Sequence, residues 1–173
     1  MTNEVERITV GDPRAARDIA VIRRAGAGPG LFWLGGFRSD MTGTKAEALD
    51  DFGARRGLTV TRFDYSGHGR SGGRFEDGTI SRWLEESLAV FDTTTGPQIV
   101  IGSSMGGWMA LLLARTHLAR VGRDASRLHA MVLIAPAPDF TEELMWAGFS
   151  EEIRREILET GVHREPSEYS DEP

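Results

Sequence analysis

Short apolar runs alternate along this chain with longer stretches whose apolar residues recur at helical spacing. Val5 to Val10 and Asp18 to Arg23 are β-rich and separated by Gly11-Asp12-Pro13, which predicts a hairpin or meander. After a break from Gly26 to Gly30, Leu31-Phe32-Trp33-Leu34 is continuously apolar and suits a buried strand. Leu58 to Phe63, Ile99 to Ile101 and Met131 to Ile134 predict three more strands of that kind. Between them lie helices: Thr44 to Arg56, with Ala46, Leu49, Phe52 and Ala54 as its apolar face and Gly57 as its stop; Thr79 to Phe91, through Ile80, Trp83, Leu84 and Leu88; and Trp108 to Leu118. Strands apolar on both faces and alternating with helices predict an α/β fold, a mainly parallel sheet with helices on both sides. Residues 1–138 form this core. Residues 139–160 hold two short amphipathic helices, Phe140 to Trp146 and Glu151 to Leu158, with Gly161 ending the second. Residues 161–173 form an acidic tail, with Glu165, Glu168, Asp171 and Glu172 against Arg164, expected to be mobile.

At 173 residues, 40% of them hydrophobic, the chain suffices for one domain with a core. The absence of cysteine excludes a disulfide framework, a zinc ribbon and a cysteine nucleophile. A formal net charge of -6 argues against nucleic acid and anionic lipid as partners. Nineteen of the 20 basic residues are arginine, Lys45 being the exception, which reads as lineage bias. Met1 to Arg7 is polar and lacks the apolar stretch of a signal peptide. No apolar run approaches the roughly 18 residues of a membrane span. The expected location is therefore cytoplasmic.

The candidate chemistry centres on Gly102-x-Ser104-x-Gly106, set between a buried strand and an apolar helix. A nucleophile on a strained strand-to-helix turn needs glycine on both flanks, so that neighbouring backbone can approach. Such a turn lifts the Ser104 hydroxyl above the sheet edge, and the Met105 amide then points where an oxyanion would form. Leu34-Gly35-Gly36-Phe37, at the end of an earlier strand, offers a second donor in the Phe37 amide; alone it would read as a plain glycine turn. Phe37, Met41 and Met105 either line an acyl pocket or simply pack. Trp33, Trp108 and Leu111 to Leu113 read as core. Gly67-His68-Gly69-Arg70-Ser71-Gly72 fits a dinucleotide fingerprint by spacing, but it continues into Gly73 to Gly78, a loop, where the fingerprint needs a helix. Gly43-Thr44-Lys45-Ala46 likewise fails as a phosphate-binding loop. No cofactor and no metal is implied.

Four segments in order carry a resemblance: Trp33-Leu34-Gly35-Gly36-Phe37, Met41-Thr42-Gly43-Thr44-Lys45-Ala46, Arg62 to Ser71, and Gly102-Ser103-Ser104-Met105-Gly106-Gly107-Trp108. Over roughly residues 18 to 138 the chain resembles the α/β-hydrolase superfamily. More narrowly, it resembles the small serine hydrolases that include a mitochondrial depalmitoylase and acyl-glucuronide esterase and their bacterial relatives. The resemblance implies an α/β-hydrolase fold with about six strands present and the last two strands and final helices lacking, and it makes residues 139–160 part of a lid. It implies hydrolysis of a small-molecule carboxylic ester or acyl thioester through an acyl-Ser104 intermediate, with Phe37 and Met105 amides as the oxyanion hole.

The family's acid follows its seventh strand and its histidine the eighth, and neither has a counterpart here. His117 is thirteen residues along a helix from Ser104, about 20 Å away. His129 starts a strand at the wrong edge of the sheet, His68 is expected to brace its loop, and His163 lies in the tail, from where it would have to swing in. Asp139 reads as a cap for the following helix, although some relatives place an acid there. The chain alone is thus expected to be inactive and poorly soluble, and the alternative to a hydrolase is a truncated or non-catalytic homologue. Oligomeric state is open.

Overall fold

The computed structural model describes residues 4–164. Val5–Val10 (β1) and Arg17–Arg24 (β2) form an antiparallel hairpin that closes at the Val10–Arg17 pair. β2 pairs antiparallel with Leu58–Phe63 (β4). From there the sheet is parallel: β4 against Ala27–Leu34 (β3), β3 against Gln98–Ser103 (β5), and β5 against Leu128–Ile134 (β6). The six strands lie in the order β1-β2-β4-β3-β5-β6. The helices Thr44–Arg56 (α1), Ile80–Asp92 (α2) and Met105–Val121 (α3) fill the connections between parallel strands. The mainly parallel α/β sheet expected from the sequence is present.

Alternation along β3 divides the core between the two faces of the sheet. Leu31 and Trp33 pack with Ala46 of α1, Val60 and Ile101. Phe32, between them, meets Phe63 at 5.7 Å and Phe91 of α2 at 5.3 Å between ring centroids. β3 begins earlier than the apolar run suggested, because the Gly-Pro stretch from Gly26 joins it through an irregular register between Ala27 and Leu31.

The structure corrects three expectations about burial. The inner face of α1 is Ala46, Asp50 and Gly53, with Leu49 half-buried and Phe52 and Ala54 exposed. A Cβ at Gly53 would lie 2.2 Å from Val60 Cγ2, so the helix packs too close to β4 there for a larger residue. Asp50 is tolerated inside because Arg24 donates to both of its oxygens and Arg62 lies 3.4 Å away. Those cations, Arg24 first, hold its carboxyl below the usual carboxylate range. The second correction concerns β6, which is not a buried strand: Met131, Val132 and Ile134 are 38%, 48% and 37% exposed. Third, Leu111 on α3 is exposed, whereas Leu113 is core.

The chain divides into two compact units, Met1–Pro138 and Asp139–Pro173. The second holds a wide π-type turn at Thr141–Trp146 and the helix Glu151–Thr160 (α4). Ser150 caps α4 by accepting from the Ile153 amide, Arg154 donates to the Trp146 and Ala147 carbonyls, and Gly161 ends the helix. Asp139 does not cap with its side chain as expected. Its backbone carbonyl takes the Glu142 and Glu143 amides, and the capping position is Phe140. The acidic tail lies outside the described residues from residue 165 onward.

Candidate active site

Ser104 stands between β5 and α3 at φ 55° and ψ -120°, a conformation that a residue with a side chain adopts only when its surroundings enforce it. Those surroundings are identifiable. The Ser104 amide donates to the Ile134 carbonyl at the end of β6, and the Ala137 amide donates back to the Ser104 carbonyl at 3.1 Å. The same carbonyl receives the Gly107 and Trp108 amides, which start α3. A Cβ at Gly102 would fall 2.1 Å from the Gly106 carbonyl oxygen, and one at Gly106 would fall 2.0 Å from that of Leu34. Glycine on both flanks is thus required by close backbone approach, as the sequence pattern anticipated. The result is an exposed Ser104 followed by a fully buried Met105. Met105 is the first residue of α3, so its amide has no acceptor within the helix and points, with the helix dipole, toward the Ser104 side.

The loop after β3 lies against this turn. A Cβ at Gly36 would be 3.5 Å from Ser104 Cβ and 3.4 Å from the Ser103 carbonyl. Phe37 follows directly and is 37% exposed. The structure therefore brings Ser104, Met105 and the Gly36–Phe37 segment together at the carboxyl ends of β3 and β5. Met41 and Met105 are 1% and 0% exposed, so between packing and pocket-lining they pack.

What braces the Phe37 loop has no counterpart among the sequence expectations. Asp64, buried at the end of β4, accepts the Met41 amide on one oxygen and the Arg70 amide on the other, both at 2.7 Å. Burial nevertheless raises its pKa above the usual carboxylate value. Arg62 donates to the Met41 carbonyl at 2.9 Å, so that residue is fixed on both sides. Glu86 on α2 is fully buried; it accepts the Ser66 amide at 2.9 Å and Arg17 Nε at 2.6 Å. Trp83 Nε1 and His68 Nδ1 both donate to the Ser66 carbonyl. The His68 ring then packs against Phe75 at 5.1 Å and Trp83 at 5.2 Å, and Phe75 meets Phe37 at 5.1 Å. An aromatic stack thus runs from the glycine-rich loop to Phe37. Its signs in the sequence are His68, expected to brace its loop, and an acid, Glu86, among the apolar positions of a helix.

The histidines of the first unit, His68, His117 and His129, do not gather on Ser104. His68 braces its loop as expected, and burial lowers its pKa. His117 is buried against Phe91 at 5.0 Å, about 20 Å along α3. The Ser103–Ile134 pairing puts His129 five residues back along β6, about 17 Å from the Ser104 end. His163 Nδ1 lies 2.7 Å from Glu156 within the second unit. Gly67 to Gly72 leads into a three-residue 3₁₀ turn at Phe75–Asp77 and not into an α-helix, so the dinucleotide arrangement is absent from that loop. No cluster of metal-ligating side chains occurs among the described residues.

Parallel strands in this order, with a strained serine turn after the fifth, leave few candidate families. A family model described as serine aminopeptidase, S33, matches residues 39–163. The chain is an α/β-hydrolase of this family. It is 36% identical over 156 residues to the human mitochondrial palmitoyl-protein thioesterase ABHD10, an alignment covering 90% of this chain and 48% of the relative. Among solved structures, a putative hydrolase from Agrobacterium vitis S4 superposes with a TM-score of 0.88 at 51% identity, covering 100% of this chain and 67% of that one. Mouse ABHD10 superposes with a TM-score of 0.77 at 31% identity, covering 96% and 62%. This α/β-hydrolase chain thus spans about half the length of the curated relatives it matches. Its resemblance to the depalmitoylase group holds. No helix among the described residues is long and apolar enough to cross a membrane.

Proposed function

We propose that this chain carries the nucleophile half of a serine hydrolase acting on small carboxylic esters or acyl thioesters. Ser104 attacks the acyl carbonyl, forming an acyl-serine ester and releasing the alcohol or thiol; water then releases the acid. The Met105 and Phe37 amides stabilise the oxyanion in both steps. The single observation that carries this reading is the strained, exposed Ser104 turn with the Gly36 backbone close beside it, where an added Cβ would lie 3.5 Å from Ser104 Cβ. The thioesterase relatives support the substrate class. Residues 139–160 are proposed as part of a lid.

None of the three histidines in the unit that holds Ser104 converges on it, which favours a second reading of this chain alone as non-catalytic. Loss of the general base costs such sites about a millionfold in turnover. The acid and histidine that complete the triad are proposed to follow two further strands, in the part of the relatives that this chain does not cover. Hydrolysis of p-nitrophenyl acetate and of an acyl thioester tests both readings. The chain by itself and its Ser104→Ala variant are expected to be indistinguishable. Fused to the C-terminal third of the Agrobacterium vitis relative, the parent should turn over and Ser104→Ala should not. Equal rates in the fused pair would end the acyl-serine proposal, and Ser104-dependent turnover by the chain alone would end the non-catalytic reading.

A further inference from the structure

β6 closes the strand order, and among the described residues its one ladder partner is β5. The parity of its backbone is set at Ile134, whose carbonyl accepts the Ser104 amide and so faces β5. Register is unbroken from Ala130 to Ile134, so Ala130 and Val132 turn their N–H and C=O groups toward β5 as well. Those of Met131 and Leu133, which alternate with them, point outward along the edge. The side chains use both faces of the sheet. Val132 stands beside Ile101, which packs with Trp33 and Ala46 on the α1 face, and Met131 stands beside Val100 on the other. Val132 is the most exposed large apolar residue of the strand, and the strand holds no Asp, Glu, Lys or Arg.

We propose that β6 is a homodimer interface, at which two copies of this chain join edge to edge and antiparallel about a two-fold axis at Val132. In that register each outward-facing Met131 stands opposite Leu133 of the partner subunit, and both pairs exchange their backbone hydrogen bonds. Val132 meets its own twin at the non-hydrogen-bonded position, where side chains come closest and β-branched pairs are favourable. Ala130 lies opposite Ile134 of the partner subunit, so apolar meets apolar along the whole seam. An axis one residue earlier would set Leu133 against His129 of the partner subunit, where the ladder to β5 is irregular between Leu128 and Ala130. A second copy fits this edge because nothing on it selects a charged partner, and the symmetry brings no like charges together. The opposite edge of the sheet is different: β1 exposes Glu6 and Arg7, the kind of charge that blunts an edge. Association therefore closes at two copies and does not continue into a fibre.

The chain has no cysteine, so a single introduced thiol reports on its own symmetry mate. Sedimentation velocity of the unaltered 173-residue chain should show monomer and dimer exchanging with concentration, and no larger species. Val132→Cys, Met131→Cys and Ala130→Cys are then oxidised separately with copper phenanthroline and run on non-reducing gels. Across the axis the two Val132 Cα atoms stand about 4.5 Å apart, within the span of a disulfide. Ala130 is about 13 Å from its mate, four residues along the strand. Val132→Cys should therefore cross-link about tenfold faster than either of the other two, because pairing raises the effective concentration of its thiol. A monomer at every concentration up to about 100 μM, weaker than specific interfaces usually are, overturns the proposal. So does a ladder of larger species, a fastest reaction at Met131→Cys, or equal rates at all three positions. The sedimentation result decides the case even where a cysteine variant fails to fold.

Discussion

At the scale of single residues, the Ser104 turn is a problem of clearance. A methyl group at Gly106 would sit 2.0 Å from the Leu34 carbonyl oxygen, and backbone on both sides leaves no room to give way. Gly106→Ala is expected to lower stability by about 3 kcal/mol, the upper end of overpacking costs, as measured by urea unfolding. Gly57 offers the contrast: at φ 65°, a methyl group there would meet nothing within 4 Å, so Gly57→Ala should cost only about 1 kcal/mol of backbone strain. Two histidines set a pH response. Burial pushes His68 and His117 below the ordinary 6.5, so the folded chain holds fewer protons than the unfolded one as pH falls beneath that value. Their contribution is fully present above about pH 6.5 and is lost toward their lower folded values, with a slope of up to about 1.4 kcal/mol per pH unit for each. Urea midpoints taken between pH 7.5 and 5.5 should show the decline, and His117→Gln should flatten it.

At the scale of elements, helix ends were more legible in the sequence than helix faces. Gly57 and Gly161 end α1 and α4 as their positions suggested. Thr79, expected inside α2, instead caps it, accepting the Arg82 amide at 3.2 Å. Thr79→Ala should therefore cost about 1 kcal/mol in thermal or urea unfolding. The faces misled because apolar spacing assumes that charge stays outside. In α1 the Arg24–Asp50 pair brings an acid inward, and the close pass of Gly53 over Val60 turns Phe52 outward onto Arg56, 5.5 Å from its ring. In α2, Glu86 takes an inner position because Ser66 and Arg17 satisfy its carboxylate. Partners so distant in the chain leave no local pattern. The glycine spacing around Ser104 was legible because close approach constrains residue type directly, whereas Asp64 acts through loop geometry that no periodicity encodes.

At the scale of the whole molecule, the mainly parallel direction of the strands followed from the alternation of elements, but burial did not. The seven residues of β6, Leu128 to Ile134, include no Asp, Glu, Lys or Arg, and Ala130, Met131, Val132 and Ile134 are each more than a third exposed. A long, uncharged strand of that kind invites pairing with other chains. The chain should associate with concentration, and Val132→Lys should reduce that association in light scattering without moving the urea midpoint by more than about 1 kcal/mol in stability.

The hydrogen bonds that hold Ser104 also carry a timetable. Its amide and carbonyl are tied to Ile134 and Ala137, about thirty residues later in the chain. During synthesis the first five strands can emerge and collapse while the serine turn still lacks the backbone that constrains it. The strained serine turn is therefore set only after β6 has joined the sheet. A nascent chain paused before β6 would hold Ser104 in its sequence without yet holding it in shape.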